Sequence, residues 1–187
     1  MAYAQSKKVM IVGHSHVRRA KSFISFGDEV ELKILTTGNS FQDYRYLKND
    51  PEFINFMPNV LVVVTEGNDI VNGFDEQLYC LHVRQFAEEL FQIGVEKILW
   101  GQALPRTQVR VDKISSADDY NRFRNRLNRL RRTRSTIMGD VRYFNFPNIL
   151  KQAVRDSTDG IHFDSPEHYK IYAECIVREV NYYFSNQ

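Results

Sequence analysis

The sequence predicts a three-layer α/β/α domain on a five-stranded parallel sheet in the flavodoxin-like order 2-1-3-4-5. Five short apolar runs, rich in β-branched and aromatic residues, have the length and composition of strands buried on both faces. Longer stretches with helical periodicity separate the later runs, the alternation of a parallel sheet covered by helices. Right-handed crossovers then leave few other topologies. A length of 187 residues, 43% hydrophobic and 26% charged, suits one domain over 1–187. No repeat, low-complexity segment or linker divides it.

The strands are expected at Val9–Val12, Val30–Leu35, Val60–Thr65, Lys97–Trp100 and Val141–Phe144. Between the third and fourth, Tyr79, Val83, Phe86, Leu90 and Ile93 recur at spacings of four and three, the buried stripe of a helix that stops at Gly94. Between the fourth and fifth, Tyr120, Phe123, Leu127, Leu130 and Ile137 mark another. Ser165-Pro166-Glu167 opens the last helix, with a hydroxyl N-cap and proline at the first helical position, and that helix runs towards Phe184.

The charge sum is 25 Lys+Arg against 23 Asp+Glu, a net +2, which excludes a globally basic nucleic-acid protein but not a local patch. Two cysteines, Cys80 and Cys175, are too few for a disulfide framework and lie in helical, partly buried surroundings. With no apolar run of membrane-spanning length and no secretory leader, the expected location is intracellular and cytoplasmic. Ordered sequence begins near Lys8, as in a domain of a larger, oligomeric protein.

In doubly wound sheets, ligands bind outside the carboxyl ends of the strands. There this sequence places Gly13-His14-Ser15-His16, Thr37-Gly38-Asn39-Ser40, Glu66-Gly67-Asn68-Asp69 and Gly101-Gln102-Ala103-Leu104-Pro105-Arg106, with Asp159-Gly160-Ile161-His162 before the last helix. Ser15, on a turn from strand to helix, is the candidate nucleophile. A serine hydroxyl needs a neighbouring base, and His162 provides one, with Asp159 three residues earlier to fix its tautomer. N–H donors for an oxyanion are available at Gly38 and in the Asn68 amide.

These blocks, in this order across essentially the whole chain, resemble those of the SGNH (GDSL-type) serine hydrolases. Leu104-Pro105-Arg106 resembles the Leu-Pro-Arg of the platelet-activating-factor acetylhydrolase-like branch. The resemblance implies cofactor-free esterase activity on a small ester or lipid-like substrate of short, acetyl-type acyl chain. Carried over, Ser15 is nucleophile, His162 base and Asp159 its orienter, while the Ser15 and Gly38 N–H groups and Asn68 are the oxyanion donors. Two positions depart from the family pattern: His14 stands in place of aspartate before the serine, and Glu66 in place of the glycine that opens the third block. The stretch Val12–Arg19 also resembles the start of the esterase domain in the first open-reading-frame protein of some LINE-type non-LTR retrotransposons.

His14, His16, Asp69 and His162 are metal-ligand types, but in a metallophosphoesterase the Gly-His-x-His element comes last, and histidines at i and i+2 diverge if the strand continues; no metal is expected. His82 and His168 read as surface or partly packed helix residues. Phe41, Tyr44 and Tyr46 line an acyl pocket or pack beneath a loop. Seven arginines fall between Arg122 and Arg134, with no acid from Asp119 to Asp140. They form either a solvated face or a contact for a phosphate-bearing partner, nucleic acid or anionic membrane, through Arg126, Arg129, Arg132 and Arg134. In that alternative the esterase site is vestigial and the domain is a binding module of a retrotransposon protein.

Overall fold

The structure, a computed structural model, describes residues 6–36, 40–71, 75–109, 116–134 and 141–186, without the side chains of 66, 71, 76 and 130–134. Five strands, β1 (Lys7–Gly13), β2 (Val30–Leu35), β3 (Val60–Val64), β4 (Lys97–Gly101) and β5 (Val141–Phe144), form one sheet. Its order is β2-β1-β3-β4-β5, and every neighbouring pair is parallel, as expected. The helices are α1 (Ser15–Ala20), α2 (Phe41–Tyr44), α3 (Pro51–Phe56), α4 (Glu66–Val71), α5 (Glu76–Gln92), α6 (Ala117–Arg134), α7 (Asn148–Arg155) and α8 (Pro166–Ser185).

Successive side chains of a strand point to opposite faces, so each strand feeds two cores. Val9, Ile11, Val60, Val62 and Leu99 pack on one side with residues of α1, α7 and α8. Met10, Val12, Leu61, Val63, Ile98 and Trp100 pack on the other with residues of α3, α5 and α6. β3 is buried along its whole length, which is why it reads as an unbroken apolar run. Fully burying one such valine or leucine contributes about 1.5–3 kcal/mol.

Tyr79, Val83, Phe86 and Leu90 form the buried stripe of α5 as expected. Ile93 does not: the helix ends at Gln92, and Ile93 caps it, 39% exposed. In α6, Tyr120 and Leu127 are buried and Phe123 partly so, whereas Leu130 and Ile137 lie outside the described side chains. Ser165 accepts the Glu167 N–H as the N-cap of α8. Cys175 is buried, Cys80 half-buried, and neither is in a disulfide. His82 is more enclosed than its sequence suggests, at 9% exposure. Among the described residues, no helix is long and apolar enough to cross a membrane.

The turn from β1 into α1 brings backbones close together. A Cβ on Gly13 would overlap the Val17 side chain and lie 3.0 Å from the Val64 carbonyl oxygen, so only glycine lets α1 start against β3. The Tyr44 hydroxyl lies 3.0 Å from the Gly13 carbonyl oxygen and 3.2 Å from that of Leu35, tying the ends of β1 and β2 together. Phe41 and Tyr44 are therefore core residues, not pocket lining, while Tyr46 is 63% exposed.

Candidate active site

Local sequence builds the Asp159–His162 pair. One carboxylate oxygen of Asp159 accepts the backbone N–H groups of Ile161 (2.9 Å) and His162 (2.7 Å), and the other meets His162 Nδ1 at 2.7 Å. Burial pushes this carboxyl up, but the hydrogen bonds from His162 and Ile161 outweigh it and hold the group well below its ordinary value of 3.8. Gly160 sits at φ +63° inside the turn, where a Cβ would overlap the Thr107 side chain. The turn is clamped from outside, because the Thr107 N–H donates to the Gly160 carbonyl at 3.0 Å.

An ionised carboxylate only accepts, so Nδ1 of His162 carries the proton and Nε2 is left to accept. His162 Nε2 lies 2.8 Å from Ser15 Oγ, at the first residue of α1. Ser15, His162 and Asp159 are thus joined in one continuous hydrogen-bonded chain. His162 and Asp159 are both partly exposed, 19% and 28% open at the side chain.

Asn68, at the start of α4, is held by a contact the sequence does not announce. Nη2 of Arg106 donates to Asn68 Oδ1 at 2.8 Å. A guanidinium has no acceptor, so this bond settles which way the amide faces: the oxygen turns to Arg106 and the NH2 group away from it. Arg106 is only 8% exposed and lies over the Tyr120 ring at 5.1 Å, and its backbone exchanges hydrogen bonds with Asn121. No carboxylate is among these described contacts of the Arg106 guanidinium.

His14 and His16 do not diverge. The strand ends at Gly13 and the chain turns into α1, which leaves their rings 5.5 Å apart, both nearly buried. His14 Nδ1 is 3.4 Å from Ser15 Oγ. Burial first, then Arg106, His162 and Arg18, lower its pKa from 6.5 to about 3, so this ring is neutral in the fold. His16 packs against His162 (5.2 Å), Phe163 (5.1 Å) and Tyr172 (5.8 Å) and is likewise held well below its ordinary value by burial. His14, Gly67, Arg106 and Ile161 line one cavity of about 20 Å3, the size of a single water molecule, so the segments after β1, β3 and β4 meet the turn before α8 there.

Asp69 braces the segment after β2. Its buried carboxylate takes the Phe41 N–H at 2.8 and 2.9 Å, anchoring the segment after β2 to the end of β3. Gly38, the second expected oxyanion donor, and the Glu66 side chain lie outside the described residues. So do the side chains of Arg132 and Arg134. Arg126 is exposed and its guanidinium lies 5.7 Å from the Phe123 ring centre, while Arg122 pairs with Asp119 at 3.0 Å.

This sheet order, with helices on both faces, is the fold found in SGNH (GDSL-type) hydrolases. Solved structures bear the likeness out. A candidate acylhydrolase from Bacteroides fragilis superposes with a TM-score of 0.71 at 18% identity, covering 96% of this chain and 88% of its own. A GDSL-like lipase from Bacteroides thetaiotaomicron gives 0.65 at 17% identity, covering 94% and 88%. A catalytic mutant of an acetylxylan esterase from Geobacillus stearothermophilus gives 0.67 at 13% identity and covers 96% of both chains. None of these three is a retrotransposon protein. No protein-family profile and no curated protein sequence matches the chain.

Proposed function

We propose that this protein is a serine esterase that hydrolyses carboxylic esters of short acyl chain. The observation that carries the reading is the unbroken chain from Ser15 Oγ through the His162 ring to the Asp159 carboxylate, at 2.8 and 2.7 Å. Ser15 Oγ attacks the acyl carbonyl carbon as His162 Nε2 takes its proton. The imidazolium, stabilised by ionised Asp159, gives that proton to the departing alkoxide. Water then repeats the sequence on the acyl-enzyme, releasing the acid and regenerating Ser15. General-base assistance of this kind contributes about 100- to 10,000-fold.

The oxyanion of each tetrahedral intermediate accepts from the Ser15 N–H and the Asn68 amide, with Gly38 as the third donor carried over from the family resemblance. Arg106 is a positioning residue: it fixes the amide's orientation and polarises it through Oδ1. The acetyl-type preference draws its support from the likeness to an acetylxylan esterase.

Turnover of p-nitrophenyl acetate and labelling by a fluorophosphonate test the reading; Ser15→Ala is expected to abolish both. Equal behaviour of wild type and variant overturns it. Rates that rise from acetate through butyrate to octanoate esters overturn the short-chain part alone.

A further inference from the structure

A second cavity, of about 370 Å3, opens between α6, α7 and the segments that follow β4 and β5. Its volume falls in the range of small-ligand sites, about 300–1,000 Å3. Arg124 and Arg129 reach it from α6 and Lys151 from α7, with the amides of Asn125, Asn128 and Asn145 between them. No acidic residue is among its described lining.

The interior is polar and incompletely bonded. Nη2 of Arg124 donates to Asn125 Oδ1 at 2.9 Å, but among the described residues its buried Nε and Nη1 meet no hydrogen-bond partner, and neither does the buried Oδ1 of Asn128. Burial above all, and Arg155 nearby, weigh against the Arg124 charge. Desolvated guanidinium N–H groups are costly to leave unsatisfied and are well matched to phosphate oxygens. The concave shape and the recessed guanidinium favour a compact ligand over a rigid duplex, whose phosphates lie on a convex surface.

We propose that this cavity binds a compact phosphate monoester. Arg124 donates to the phosphate oxygens, Arg129 and Lys151 balance its double charge, and Asn128 Oδ1 accepts from a hydroxyl on the organic part. The site involves none of Ser15, His162 or Asp159 and stands independently of the esterase reading.

Calorimetric titration of the full chain with glycerol 3-phosphate tests it. Saturable one-to-one binding is expected, weakened about tenfold by Arg124→Gln and by Lys151→Gln and less than about twofold by Arg122→Gln, which removes a cation outside the cavity. Should Arg124→Gln fail to fold, Lys151→Gln carries the comparison. Binding to phosphatidylcholine vesicles containing phosphatidic acid that free glycerol 3-phosphate displaces identifies a lipid headgroup as the source of the phosphate; no vesicle binding identifies a soluble ester. Three results overturn the proposal: no heat at about 10 mM glycerol 3-phosphate, equal weakening by Arg122→Gln and Arg124→Gln, or binding of single-stranded RNA that glycerol 3-phosphate does not displace.

Discussion

His162 Nε2 comes to 2.8 Å from Ser15 Oγ across 147 residues of sequence. The strand end that carries Ser15 and the turn that carries His162 are independent pieces of chain. They meet because β1 is an interior strand, between β2 and β3, and α8 packs against α1. The energetics of the site therefore rest on how firmly each piece is braced, and the braces are open to test.

Asp159→Asn keeps an oxygen for the Ile161 and His162 N–H groups but offers an NH2 to His162 Nδ1, favouring the wrong tautomer. The variant is expected to fold and to lose about 1,000- to 10,000-fold in kcat for p-nitrophenyl acetate. A loss below tenfold contradicts the assigned role.

Asn68→Ala removes one oxyanion donor and is expected to lower kcat about 100- to 1,000-fold with little change in KM. Arg106→Gln, which leaves Asn68 in place, is expected to cost about tenfold to a hundredfold, again in kcat. Arg106→Lys should recover part of this loss, and added guanidinium should rescue Arg106→Ala. A merely structural arginine predicts instead a lower Tm and no rescue.

Stability should fall in mild acid. His14 titrates at about 3 in the fold against 6.5 in the unfolded chain, and His16 is depressed in the same sense. Below pH 6.5 the unfolded state binds protons that the folded state does not, so each step down in pH favours unfolding until the folded group itself titrates. Ionised Asp159 adds a loss in the same direction at still lower pH. Urea midpoints measured from about pH 7 to 4 are expected to decline, and His16→Phe, which keeps the aromatic packing, to flatten the decline. A midpoint independent of pH contradicts the buried neutral histidines.

Gly160→Ala forces an L-residue into φ +63° and presses a Cβ into Thr107 and the Gln108 backbone. The φ alone costs about 1–2 kcal/mol, and relief of the overlap moves the turn that aims His162. Both Tm and the rate of fluorophosphonate labelling should drop.

The sequence by itself determined what repeats along one dimension. Nearly continuous apolar runs marked β1, β3 and β4, since burial on both faces demands them, whereas the edge strands β2 and β5 carry Glu31, Lys33 and Arg142; crossover chirality left few arrangements, the observed order among them. The Asp159–His162 pair was also legible, because residues three positions apart on one turn are close whatever the rest of the chain does. Tertiary structure alone decided the contacts between distant segments. It set the Arg106–Asn68 bond that orients the amide, the Asp69 brace on Phe41, the paired burial of His14 and His16, and the turning of Arg124 and Arg129 with Lys151 into one cavity. The physical reason is that periodicity specifies which face of an element is buried, whereas the partner met there depends on sheet twist, helix packing and loop closure, summed over the whole fold.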